Sequence, residues 1–223
     1  MVSIASLSTR QTPPLRVPMR FFLSVPLFMG LAGLMLLLSD SLALQGRWTP
    51  QVLALTHLWV LGMMLLAMLG ASQQVVPVLL GVTIVHAEWV GFGSYLLLVP
   101  GILALAGGFL TGETELFLVA APALGGGVLL VVLAVLEALT RSPSVHATAW
   151  GIRLALIALL VTVGLGSWLA LGSGGIVVLR REWTDLHLGW GLLGWSVLLL
   201  SAVAWHVVPM FQVTPRYPSL LMR

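Results

Sequence analysis

A chain of 223 residues with 59% hydrophobic and only 8% charged residues has too little polar surface to coat a water-soluble globule, in which about 25% charged is usual. All ten basic residues are Arg and lie scattered between apolar runs, so a pI near 10.6 and a net charge of +3 reflect membrane topology, not a nucleic-acid surface. No Cys is present, which excludes disulfides, thiolate metal sites and cysteine nucleophiles.

A membrane-spanning helix takes about 20 apolar residues at about 1.5 Å each. Six runs meet that requirement, near 21–39, 52–80, 92–111, 115–138, 149–172 and 185–210. The expected fold class is therefore all-α, an integral membrane bundle of about six transmembrane helices over 21–211. It lies between an N-terminal tail, 1–20, and a C-terminal tail, 212–223. The first run follows Arg10, Arg16 and Arg20, and Ser41-Leu42-Ala43 offers a small-x-small cleavage pattern. Its apolar core nevertheless exceeds the roughly 7–15 residues of a secretory signal, so a retained helix is expected. The second run opens with Thr49-Pro50, an N-cap followed by the first helical position. Thr184 is expected to cap the sixth in the same way. "TGET" and "TRSPS" are among the turns that divide the runs between them.

With the N-terminus inside, inner segments hold Arg10, Arg16, Arg20, Arg141, Arg153, Arg216 and Arg223, while outer loops hold Arg47, Arg180 and Arg181. That bias predicts a multi-pass protein of the inner (cytoplasmic) membrane with both termini cytoplasmic. Gly30 and Gly33, Gly62 and Gly70, Gly125 to Gly127, Gly164 and Gly166, and Gly189, Gly191 and Gly194 supply small surfaces where helices approach closely. Close approach also opens flat clefts able to accept a planar cofactor.

Ionisable side chains inside a membrane are costly and tend to be functional. The second and sixth runs both descend from the outer side, and each has a histidine near its start, His57 and His187. Helix parity therefore places the two imidazoles at similar depth. One reading of a single intramembrane His is an interhelical hydrogen bond. Two at matched depth offer two ring nitrogens to one metal, and haem iron needs only two axial side chains and an apolar slot. With no Cys for thioether attachment the haem would be held non-covalently, and haem b is the expected cofactor.

His86, His146 and His206 fall toward the other side and are weaker candidates for a second metal site, with a solvated turn at His86–Glu88 and interfacial bonding beside Trp205 as the alternatives. Glu137 is expected to pair with Arg141 at i,i+4. Gln73 and Gln74 are expected to pack, or to bond a neighbouring helix or a haem propionate. Trp48, Trp59, Trp89, Trp183 and Trp205 read as interfacial anchors. Gly-x-Ser-x-Gly, a phosphate loop and His-Glu-x-x-His are all missing, which leaves hydrolase and nucleotide-driven chemistry without support.

The pattern His57-x4-Gly62-x7-Gly70-x6-Pro77 resembles the His-containing helix of the NnrS family of nitric-oxide-response membrane proteins. More distantly it resembles the second helix of the haem-copper oxidase catalytic subunit. "GVTIVHAEWVGFGSYLLLVPGILALAGGF" is similar to the oxidase third helix. "HLGWGLLGWSVLLLSAVAWHVVPMFQVTPRYP" is similar to segments of that superfamily in which a His begins a Gly-spaced helix ending in Val-Val-Pro-Met-Phe. The resemblance implies haem in a helical bundle with His57 as a low-spin ligand; His187 as its partner follows from depth and direction instead. The copper-binding His-Pro-Glu and His-His motifs of the oxidases do not occur here, so oxygen reduction by this chain alone is not expected.

The resulting expectation is a membrane b-type haem protein in electron transfer or in a redox or gas (nitric oxide or oxygen) response. Its partners would be the lipid bilayer and a second copy or second membrane subunit completing a larger bundle, with no nucleic acid and the redox partner unspecified. The alternative is a non-haem structural or assembly subunit, or a small transporter with helix breaks at Pro100 and Pro122. A further alternative is a copper or other metal carrier using His86, His146 and His206.

Overall fold

A computed structural model describes residues 11–142, 147–214 and 217; His146 lies outside the described residues. Six helices are long and apolar enough to cross a membrane: α1 (Arg16–Leu38), α2 (Pro50–Leu80), α3 (Ala87–Thr111), α4 (Thr114–Thr140), α5 (Ala147–Ser173) and α6 (Arg181–Phe211). No strand occurs among the described residues. Large apolar side chains stand exposed on the outward faces, Leu27 at 73%, Leu37 at 84% and Leu200 at 60%. A water-soluble monomer does not expose apolar surface on that scale. The chain is a multi-pass membrane protein.

Most boundaries follow from local chemistry. Thr49 keeps an extended backbone (φ −69°, ψ 144°) and its Oγ1 accepts the Val52 N–H at 3.4 Å, with Pro50 at the first helical position. Gly81 and Gly112 close α2 and α3 in the left-handed region, φ 66° and 75°, which a glycine adopts without a Cβ clash. Two expectations need correction. Helix α1 begins at Arg16, inside the stretch read as tail, because Leu15 already has helical dihedrals and Val17 N–H reaches Pro14 O at 2.9 Å. Thr184 does not cap α6. The chain enters that helix earlier, through a tight 3₁₀ turn at Arg181–Trp183, so Thr184 is itself helical (φ −63°, ψ −39°).

Successive helices pack in sequence, α1 on α2 through to α5 on α6. Gly62 and Gly70 of α2 receive Phe28 and Phe21 of α1; a Cβ at Gly62 would meet the Phe28 ring at 2.5 Å, and one at Gly70 would meet Phe21 Cβ at 2.9 Å. Gly127 of α4 takes Leu98 of α3 in the same fashion, at 2.7 Å. Both Phe21 and Leu98 are fully buried. Apolar burial gives little drive between helices in lipid, so these close approaches supply dispersion contacts instead. Helices α3 and α4 run unbroken through Pro100 and Pro122. The backbone irregularities lie elsewhere. Residues Leu58–Leu65 of α2 and Trp190–Val197 of α6 are π-helical, closing with Leu66 N–H on Leu61 O and Leu198 N–H on Leu193 O.

The α1–α2, α3–α4 and α5–α6 loops lie together at one end of the bundle, its upper end.

Candidate functional site: two imidazoles across the α2–α6 slot

His57 is the last α-helical residue before the π segment of α2, and His187 lies three residues before that of α6. Each is six or seven residues from the upper end of its helix, or about 10 Å at 1.5 Å per residue. π-helical turns make up well under 1% of residues in ordinary proteins and concentrate at functional sites. Here two of equal length follow the two histidines at matched depth.

Each imidazole is held through Nδ1. His57 Nδ1 lies 2.7 Å from Leu53 O, one turn back on its own helix, and His187 Nδ1 lies 2.9 Å from Thr162 O on α5. A carbonyl only accepts, so both Nδ1 atoms carry the proton and donate it. In the neutral ring each Nε2 then keeps its lone pair, the form in which a histidine ligates a metal. No hydrogen bond engages either Nε2 among the described residues.

The two ring centroids are 6.4 Å apart and their planes are inclined by 21°. Ordinary aromatic pairs place their centroids about 4.5–7 Å apart. A metal joined to both Nε2 atoms by bonds of about 2.0 Å, with about 1.1 Å from each nitrogen to its ring centre, requires a separation near 6.3 Å. The observed spacing is close to that value and also falls within the range of an ordinary ring pair. Phe109 of α3 packs on His57, centroids 5.0 Å apart. Gly166 of α5 backs His187, where a Cβ would fall 2.8 Å from Cε1. Neither Phe109 nor Gly166 was singled out for this role in the sequence, and nothing local distinguishes Gly166 from Gly164.

Between α2 and α6 the backbones do not pack closely; side chains bridge the gap. At the top Arg47 donates to Asp185 at 2.7 Å, and Arg181 lies over the Trp48 ring at 5.2 Å. Lower down Ser196 Oγ contacts Met64 Sδ at 3.8 Å. The histidines lie between these two levels. Two buried donors of α6, Thr184 Oγ1 and Trp195 Nε1, lack acceptors among the described residues. The site as observed is a pair of Nδ1-anchored imidazoles from α2 and α6 with both Nε2 atoms outside any hydrogen bond among the described residues.

The other candidates separate from this pair. His86 is exposed at the lower end, in the left-handed region (φ 51°) just before α3, and His206 is partly buried near the lower end of α6. No group of three His, Cys, Asp or Glu side chains converges as a metal site among the described residues. Glu88 is not simply solvated; Arg16 Nη2 holds both its carboxylate oxygens at 2.6 Å. Glu137 pairs with Arg141 at i,i+4, 2.6 Å, and Arg141 also donates to Thr83 O at 2.9 Å. Gln73 is fully buried at the lower end with Nε2 on Leu69 O, and its Oε1 lies against Gly91 of α3, so it packs well below the imidazoles. No family model matches the chain, and no curated protein or solved structure matches it.

Proposed function

We propose that this chain is a membrane b-type haem protein that carries electrons or responds to redox state or a diatomic gas, with His57 and His187 as the two axial ligands. The 6.4 Å spacing of two Nδ1-anchored imidazoles supports this reading most directly. Bound haem supplies reversible one-electron iron chemistry. The chain's own residues orient the ligands: Leu53 and Thr162 carbonyls hold the Nδ1 protons and make each imidazole a stronger donor. Phe109 and the helix walls limit water near the rings. With His57 and His187 both holding the iron, the group would serve electron transfer, and gas binding would require one of the two histidines to leave.

The Arg distribution supports cytoplasmic termini in an inner membrane. It also puts the histidine pair near the outer face. Electrons would then be exchanged with a partner on that side, and a second copy or subunit would complete a larger bundle.

The test is a reduced-minus-oxidised absorption spectrum of protein purified in detergent from haem-replete cells. A low-spin b-type spectrum is expected from wild type, and its loss from both His57→Ala and His187→Ala. A colourless wild type removes the proposal. A low-spin spectrum surviving in one of the two variants removes the pairing. A structural subunit without haem predicts a colourless protein that tolerates His57→Gln.

A further inference from the structure

Among the described residues, the lower end of the bundle holds two carboxylates, and both are taken. Glu88 is gripped by Arg16 and Glu137 by Arg141. Arg20, one turn further along α1 than Arg16, has no carboxylate within reach. Its Nε donates to Arg16 O at 3.2 Å, and its guanidinium lies over the Phe92 ring of α3, 5.4 Å from the centroid. Nη1 is shielded from solvent yet makes no hydrogen bond.

An Arg is permanently charged, and a shielded guanidinium without a counter-anion at the edge of a hydrocarbon slab is costly. The surroundings indicate where the anion comes from. Phe92 is 46% exposed and Trp89, one turn before it, is 75% exposed, while Leu23 of α1 is 63% exposed. These are faces turned to lipid, with an aromatic at interfacial level. Tyr95 OH and Ser24 Oγ bond each other at 3.0 Å one turn deeper and close the floor between α1 and α3.

We infer that Arg20, stacked on Phe92 between α1 and α3, binds the phosphate of an anionic phospholipid headgroup. The planar guanidinium offers parallel donors that match two phosphate oxygens, and Phe92 fixes its plane. Net negative headgroups are preferred over zwitterionic ones because Arg16, Arg20, Arg141 and Arg153 outnumber the two acids at this end among the described residues.

The experiment is native mass spectrometry of the full chain, released from detergent micelles doped with equal amounts of phosphatidylglycerol and phosphatidylcholine. Wild type is expected to retain one phosphatidylglycerol in preference. Arg20→Gln is expected to lose that preference by roughly fivefold to tenfold, while Arg20→Lys keeps part of it. Phe92→Leu, which preserves the charge and frees the guanidinium plane, is expected to weaken retention about twofold and covers the case in which Arg20→Gln fails to fold. A parallel thermal-shift series compares phosphatidylglycerol with inorganic phosphate. Equal retention by wild type and both the Arg20→Gln and Phe92→Leu variants overturns the assignment. Stabilisation by inorganic phosphate as large as that by the lipid shows a general phosphate site and overturns the lipid as its occupant.

Discussion

Replacing Gly166 with Ala tests the proposed pair without touching either histidine. An added Cβ would fall 2.8 Å from His187 Cε1 and 3.3 Å from Nδ1, against the 3.4 Å at which ordinary contact begins. The ring must retreat by about 0.6 Å, or α5 must move away from it. Metal–ligand distances tolerate only about 0.2 Å. Retreat of the ring also stretches its 2.9 Å bond to Thr162 O, which sits on the same helix as the intruding methyl. Moving the helix instead costs about 1–3 kcal/mol of overpacking. Because Gly151 lies directly on Ala202 about four turns below, α5 is also pinned to α6 at its lower end. The ring therefore yields. The expected result is a haem held by His57 alone, with the low-spin bands replaced by a high-spin spectrum and with carbon monoxide binding gained. Gly164→Ala, on the same helix with nothing within 4 Å of its added Cβ, is the control and should match wild type. A wild-type low-spin spectrum in Gly166→Ala, at unchanged thermal stability, would refute the placement of His187 as a ligand.

Haem-loaded protein should melt above haem-free protein, by about 4 kcal/mol of stability at a thousandfold excess over Kd, in a detergent thermal scan; coincident curves contradict binding to the folded state. Gly62→Ala should destabilise the bundle by about 1–3 kcal/mol, because its Cβ meets the Phe28 ring at 2.5 Å, and denaturant titration in mixed micelles reads this directly. Asp185→Asn should cost no more than about 1 kcal/mol, since the Arg47 bridge is largely exposed, with Asp185 at 80%. A larger loss in the same titration would mean that this bridge closes the slot and does not simply decorate its rim.

How much of this was readable in advance depends on how local the cause is. The Thr49-Pro50 start of α2 and the Glu137–Arg141 pair were legible because each involves residues within one turn. The matched depth of His57 and His187 was legible too, since it needs only the number of membrane crossings. Thr184 misled for the opposite reason. Its capping chemistry is sound in isolation, but Arg181–Trp183 had already begun the helix and withdrew the non-helical backbone that a cap requires. The pairing of His187 with the Thr162 carbonyl joins residues 25 apart, and Gly166 differs from Gly164 only in the direction it faces. Such facts belong to the packed bundle.

The two π segments are the least legible feature, and they lead to a separable prediction. In a straight α-helix, residues nine apart lie about 180° from each other, since each step turns roughly 100°. His187 and Ser196 are nine apart, yet both reach α2, one stacked near His57 and the other on Met64. A π turn accommodates one residue beyond the α count, so the intervening rotation is closer to that of eight α-helical steps, roughly 80°. Deleting one residue there should therefore restore an α-helix while leaving both flanks in phase. Leu192, 40% exposed on α6, is the residue to remove. Ala202 should keep its seat on Gly151, and the melting temperature should stay within a few degrees of wild type. Inserting an Ala after Leu200, in the α-helical part, lacks that tolerance and should unfold the lower half. If the π segment serves the imidazole pair and not only the packing, the Leu192 deletion will fold and yet lose low-spin haem, because the widened turn beside His187 is gone. A deletion variant with an unaltered haem spectrum would assign the irregularity to packing alone.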